Sequence, residues 1–556
     1  MTRLYNSLLL LCILLIAGCK KSFLSEFPAD QPSDITFYSN EKELLLAINA
    51  AYRQLPYHLG IRTDATTDIG LNRAGARTDV SAVATGAQNP LTGGLISSTW
   101  EGLYTGIARC NTLLDNMGKA EQNTTPAMFK RIRGEAKFLR AYYYHLLSEI
   151  YGNVPLIIKT QSLEESQVAN TPKAETVEFI LKELTDAALD LPVSYAAADK
   201  GRATKGAALT IKAKAALFNQ KWEVAASAAQ EVMNLNAYTL YPNYRDLFTY
   251  KAESNAEVIL ETQYLLGNSV LALSQDIMPR IVAGLSIFTP TQPLVDSYEC
   301  TDGLTIDKSP LYNKANPFQN RDPRLAGTII YDGTKFGDYI FSTNSTAVTT
   351  LRVSTNTQVA NPDVTNQFAT FTGYCWKKYA DETDISRIAT SDLNFIISRY
   401  AEVLLMYAEA KTELNQIDAT VISAINQVRA RAYGVAVSAV TQYPAIKMMS
   451  QAELRKIIRR ERKVEFAMEG IRMFDIKRWK VAGKALNGYV YGRPKGEFST
   501  MGVPVFDEDG FPDYSAYADK LKQQDLRKFN PDRDYLWPIP QKDIDVNKML
   551  VQNPNY

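Results

Sequence analysis

Apolar residues recur at steps of three and four along much of this chain. Between positions 126 and 151 they fall at Phe129, Ile132, Ala136, Leu139, Tyr143, Leu146 and Ile150, which places them on one stripe of an α-helix. Trp100, Leu103, Tyr104, Ile107 and Leu114 keep the same register, so Trp100 is expected in the core. Two stretches stand back to back: Ala208, Ile211, Ala215 and Phe218, then Trp222, Ala225, Ala229 and Val232. Only Asn219, Gln220 and Lys221 separate them, which predicts two antiparallel helices joined by a tight turn. A last series runs Ile396, Tyr400, Val403, Tyr407, Ala410 and Leu414, followed by Val421, Ile425, Val428 and Ala432.

Helix, short turn, small-residue-rich helix is the unit of tetratricopeptide-type repeats, and KWEVAA at 221–226 resembles the opening of such a second helix. The periodicity is interrupted, so the expected fold is mostly α: tetratricopeptide-like helix pairs form a scaffold, with a long irregular loop-rich part and few short strands. Two regions break the helical rhythm, 57–98 and about 265–392. Loops this long in a compact protein carry function or lack order. The aromatic and apolar runs of the second, as at 368–379, argue for order, and loops held on a rigid scaffold are where binding groups sit.

The amino terminus reads differently. Arg3 gives a positive start, Leu8 to Ile16 an apolar run, and Ala17-Gly18 small residues at a cut. The run has about nine residues, against the ~20 that a helix needs to span a bilayer. Ile16-Ala17-Gly18-Cys19 looks like a lipobox, so residues 1–18 are expected to be removed and Cys19 to carry the lipid.

With a net charge of +1 over 556 residues, nothing suggests nucleic acid or an acidic polymer as partner. Beyond Cys12 and Cys19 only Cys110, Cys300 and Cys375 remain, without C-x-x-C, which fits neither a disulfide framework nor a zinc site. The two histidines, His58 and His145, are far apart, which argues against a histidine metal site or a Ser-His-Asp hydrolase. No metal and no cofactor is expected.

One motif invites a catalytic reading. Glu461, Glu465 and Glu469 are spaced i, i+4, i+8 within RRERKVEFAMEG (459–470), which would place three carboxylates near one helix face with Gly470 as its cap. Paired carboxylates suggest glycoside hydrolysis. The competing reading, an ion-pair network with Arg460, Arg462, Arg472 or Arg399, has the greater weight because an unpaired buried charge is costly. Trp537-Pro538-Ile539-Pro540 predicts an extended segment laid over the scaffold with Trp537 buried.

A series of fragments in fixed order carries a family resemblance. They are FYSNE (37–41), AINAAY (47–52), WEGLY (100–104), NTLL (111–114), GEAKFLRAYYY (134–144), YGNVPL (151–156), Asp322-Pro323-Arg324, RYAEVLLMYAEA (399–410), Glu461-Arg462, EGIR (469–472), Arg478-Trp479, LWPIP (536–540) and the terminal QNPNY. Together they resemble the SusD/RagB family of outer-membrane nutrient-binding lipoproteins. The resemblance implies an N-terminal helical region at 19–235 and a C-terminal region at 236–556 that includes the loop-rich 265–392.

It also implies a binding role without catalysis. The chain would sit in the outer membrane through the lipid on Cys19, facing the exterior, and hand an oligosaccharide to a SusC-like TonB-dependent transporter. A peptide or other nutrient stays open as the ligand, and a scaffold for proteins alone is a further alternative. The residues after Cys19, Lys20-Lys21-Ser22-Phe23, lack an acidic run, so surface display rests on the resemblance alone. With 31 tyrosines available, the ligand is expected to stack on aromatic rings and bond to amides, carboxylates and guanidinium groups. Candidate contacts are Tyr57, Asp68, Asn72, Arg73 and Arg77 in the first loop, and Tyr374 and Trp376 in the second.

Overall fold

The structure, a computed structural model, describes residues 37–56 and 59–556. Cys19 and the expected leader, residues 1–18, lie outside the described residues, as do Tyr57 and His58. The scaffold is an array of helices: α1 (Glu41–Tyr52), α2 (Leu95–Asn116), α3 (Pro126–Tyr151), α4 (Lys173–Asp190), α5 (Lys205–Phe218), α6 (Trp222–Asn234), α7 (Tyr400–Glu413), α8 (Ala419–Ala432) and α9 (Gln451–Glu465). From α2 to α8 each packs on the next, α6 on α7 included. The long excursion between α6 and α7 therefore leaves the array and returns to it.

Local sequence sets the ends of these helices. Asn40 caps α1 by accepting the Glu43 N–H at 3.2 Å, while the Glu43 carboxylate takes the Ser39 N–H at 2.7 Å. Thr125 caps α3, Pro126 opens it where a missing N–H costs nothing, and Gly152 ends it at φ 77°. Ser450 and Glu453 close a capping box at the start of α9. The α5–α6 pair turns through residues 219–221, and its facing alanines, Ala208, Ala215, Ala225 and Ala229, are fully buried. Small side chains let those two helices approach closely.

The predicted stripe of α3 is buried from Ile132 to Ile150, with Phe129 half-buried. Trp100 lies in the core against Tyr104 and Tyr151. Trp537 is 1% exposed, and the chain around it runs extended over α3. Its N–H donates to Ile150 O at 2.8 Å, and the Asn553 amide clamps Tyr151 O and Trp537 O at 2.8 and 2.7 Å.

Two predicted helical boundaries move. The series from Ile396 does not begin a helix there: strand β4 (Phe395–Arg399) pairs antiparallel with β2 (Val258–Thr262), and α7 starts only at Tyr400. A short apolar run satisfies both periods, and the partner strand decides between them. Helix α9 ends at Glu465, so Glu469 stands beyond it in a turn where Met468 and Gly470 take φ 68° and 77°. A Cβ on Gly470 would meet Leu59 O at 2.5 Å, which keeps the turn tight against the first loop.

The excursion forms short strands instead of one continuous sheet. Beyond β2, strand β3 (Phe288–Pro290) pairs with β1 (Gly70–Asn72), which ties the first loop to the second. Lys335–Phe336, Tyr339–Ile340, Thr349–Arg352 and Thr357–Ala360 make a four-stranded meander. Among the described residues no helix is long and apolar enough to cross a membrane.

Candidate ligand-binding face

The three glutamates of the catalytic reading lie in a buried field of cations. Glu461 sits between Arg324 at 2.6 Å and Arg429 at 2.7 Å. Glu465 is paired with Arg399 at 2.7 Å, Arg324 at 2.9 Å and Arg431. Glu469 meets Lys378 at 2.5 Å and Arg399 at 2.8 Å. Burial alone would push the Glu465 carboxyl up, but Arg431, Arg399 and Arg324 hold it well below the usual carboxylate range. Burial likewise works against the Glu469 anion, and Arg399 and Lys378 reverse it. These carboxylates face guanidinium groups, the arrangement of a structural ion-pair cluster. Of the expected partners Arg399 takes that role. Arg462 pairs instead with Asp475, Arg472 with Asp68 and Arg460 with Glu299.

The candidate residues of the first loop divide by depth. Asp68 is buried, its two oxygens bonded to Arg472 at 2.8 and 3.0 Å, with Lys463 at 3.0 Å. Asn72 is buried too, and its amide donates to Arg77 O at 2.9 Å and Ser81 Oγ at 2.8 Å. It thereby shapes the turn 73–77, in which the Ala76 N–H closes on Arg73 O at 3.0 Å and Gly75 takes φ 76°. Arg73 and Arg77 are carried outward on that turn, both half-buried.

In the second loop Tyr374 and Trp376 form the floor, each 1% exposed. The Tyr374 hydroxyl donates to Gln292 Oε1 at 2.6 Å, and Trp376 lies in a strand against Ile329. What reaches solvent is Phe368, 49% exposed. Its N–H is held by Asn366 Oδ1 at 2.8 Å. Its carbonyl accepts Arg73 Nη1 at 3.1 Å and Arg280 Nε and Nη2 at 3.0 and 2.9 Å. The Arg73 guanidinium also lies 5.0 Å from the Phe368 ring centre.

The two loops thus meet at Arg73 and Phe368. Asp363 locks the meeting point by accepting the N–H groups of Arg280 and Ile281 at 2.7 and 3.0 Å. A recess of 130 Å³ is lined by Arg62, Arg77, Leu273, Asp276 and Phe288, with Arg77 and Asp276 paired at 3.3 Å. Sequence reasoning missed Arg280, for which a lone arginine in a loop gives no local signal. A larger cleft of 930 Å³ lies beside α1 and α2, but its Arg202 is already paired with Glu135 and Asp199, both at 3.0 Å.

The sequence profile of the SusD family matches residues 229–556. The chain belongs to the SusD family. A second profile, described as starch-binding associating with outer membrane, matches residues 25–217. SusD-like protein P2 of Formosa agariphila is 26% identical, with 99% of each chain covered. A SusD-like protein of Bacteroides ovatus is also 26% identical, over 97% of this chain and 96% of its own.

Among solved structures, a SusD-like carbohydrate binding protein of Bacteroides fragilis superposes with a TM-score of 0.79 at 29% identity, covering 93% of this chain and all of that one. Surface glycan-binding protein A of Bacteroides thetaiotaomicron shares the fold, with a TM-score of 0.65 at 20% identity over 94% of this chain and all of that one. Within this SusD-family chain the fragments that carried the resemblance are scaffold: GEAKFLRAYYY lies in α3, RYAEVLLMYAEA opens α7, and Asp322 and Arg324 are paired at 2.6 Å in the ion cluster.

Proposed function

We propose that this SusD-family chain is a lipid-anchored outer-membrane protein that captures an oligosaccharide on the loop face and passes it to a TonB-dependent transporter. The observation that carries the reading is the junction of Arg73 and Phe368. It presents an exposed ring beside guanidinium groups on a rigid helical body, and a ring with polar neighbours is what a sugar's C–H face and hydroxyls require. The lipid on Cys19 would tether the body, and transfer to a channel would follow from capture at the surface. The carbohydrate- and glycan-binding descriptions of its structural relatives support the ligand class.

Affinity electrophoresis of the full-length chain in gels containing a range of polysaccharides, with a peptide mixture as control, tests the reading. Retardation by a polysaccharide is expected. Binding to peptides alone would transfer the role to another nutrient. Co-purification of a large β-barrel with the tagged chain from outer membranes would support the hand-over.

A further inference from the structure

The loop face also indicates what kind of saccharide it takes, an inference that rests on the glycan-capture reading. In the ion cluster buried arginines are matched to carboxylates: Arg324, Arg399, Arg429 and Arg431 each touch two or three. Two others, Arg321 and Arg527, are buried with three backbone carbonyls each. Arg73 and Arg280 differ from both kinds in sharing a single acceptor. Both donate to one atom, the Phe368 carbonyl oxygen, so two full positive charges are held within hydrogen-bond reach of a neutral acceptor.

The nearby acids are engaged elsewhere. Asp276 pairs with Arg77, and Asp363 takes the backbone N–H groups of Arg280 and Ile281. Burial and then the neighbouring Arg280 charge both push the Arg73 guanidinium below its usual value. The Arg73 Nε is buried without a hydrogen-bond partner. One arginine would suffice to staple the Phe368 carbonyl; the second adds like-charge repulsion, against which Asp276 acts on Arg73 and Asp363 on Arg280.

We propose that the face binds an acidic saccharide, a chain bearing carboxylate or sulfate groups, whose anion docks between Arg73 and Arg280 while a sugar ring stacks on Phe368. Guanidinium N–H groups suit the oxygens of either group, so the shared chemistry is an oxyanion on a sugar ring. An anion there would add to the counter-charge of Asp276 and Asp363. Phe368, half in solvent beside both cations, would receive the apolar face of the same ring.

Calorimetric titration of the detergent-solubilised full-length chain with neutral β-glucan, oligogalacturonate and carrageenan oligosaccharides tests this and separates carboxylate from sulfate. At least one acidic series should bind in preference to the neutral one and weaken as salt is raised. Arg73→Gln and Arg280→Gln should each weaken it about ten- to a hundredfold, with the melting temperature held. If a Gln variant melts early, Arg73→Lys and Arg280→Lys, which keep the charge and lose the fork, should still bind more weakly than the native chain.

Binding confined to the neutral series would overturn the acidic assignment and leave glycan capture standing. Acidic binding indifferent to salt and to both arginines would overturn the docking site. Failure of every saccharide, with peptides binding, would remove the glycan reading itself.

Discussion

Arg399 Nη1 lies 2.7 Å from a Glu465 carboxylate oxygen, with both side chains buried. The pair joins the residue that leads into α7 to the last residue of α9, and Arg399 reaches on to Glu257 at 2.8 Å beside strand β2. One guanidinium therefore ties the returning end of the excursion to its departing end and to α9. This is why a cluster that resembles a catalytic carboxylate array serves as the clasp of the scaffold.

Glu465→Gln should accordingly lower the free energy of unfolding by about 3–5 kcal/mol, because it leaves buried cations without their counter-charge. Urea denaturation followed by circular dichroism measures it. No reducing ends should be released from polysaccharide by the native chain or the variant. Release by the native chain that stops in a folded Glu461→Gln variant would return the cluster to catalysis.

Asp64 gives the fold a pH dependence of a particular sign. Burial pushes its carboxyl up from 3.8 to about 7, against the Gly470 N–H that it accepts at 3.1 Å. Glu469 adds to the rise and Lys378 opposes it. The folded chain therefore holds a proton that the unfolded chain releases, and this group's contribution to stability falls as pH rises from about 4 to about 7. Asp64→Asn should raise the melting temperature more at about pH 8 than at about pH 4, and differential scanning calorimetry across that range checks the sign.

Much of this architecture could be read from the chain because its helices bury one stripe each, and the α5–α6 pair follows from spacing alone. Strand β4 escaped because the five residues 395–399 satisfy either period and only their partner, β2, decides. The loops offered no period at all. Residue type suggested Asp68, Asn72, Tyr374 and Trp376 as readily as Arg73 and Arg77. Nothing local says that the first four turn inward to hold Arg472, the 73–77 turn and Gln292. Arg280 reaches the face only because Asp363 and Phe368, some 80 residues on, fix its backbone and its side chain.

Cys19→Ala should move the chain from the membrane fraction to the soluble fraction without loss of ligand binding, since the face is built from Arg73, Arg280 and Phe368, apart from Cys19. Fractionation with metabolic labelling by palmitate reads both the lipid and the location. Labelled lipid on the variant, or its retention in membranes free of any transporter, would place the anchor elsewhere.

The ring that the two loops expose together is the expected stacking surface for the ligand. Phe368→Ala removes a side chain that is 49% exposed, so the fold and melting temperature should hold. Calorimetry with the saccharide that the native chain binds best should show affinity lower by about tenfold, the worth of one aromatic stacking contact. Undiminished affinity in a folded Phe368→Ala chain would contradict the placement of the ligand on this face.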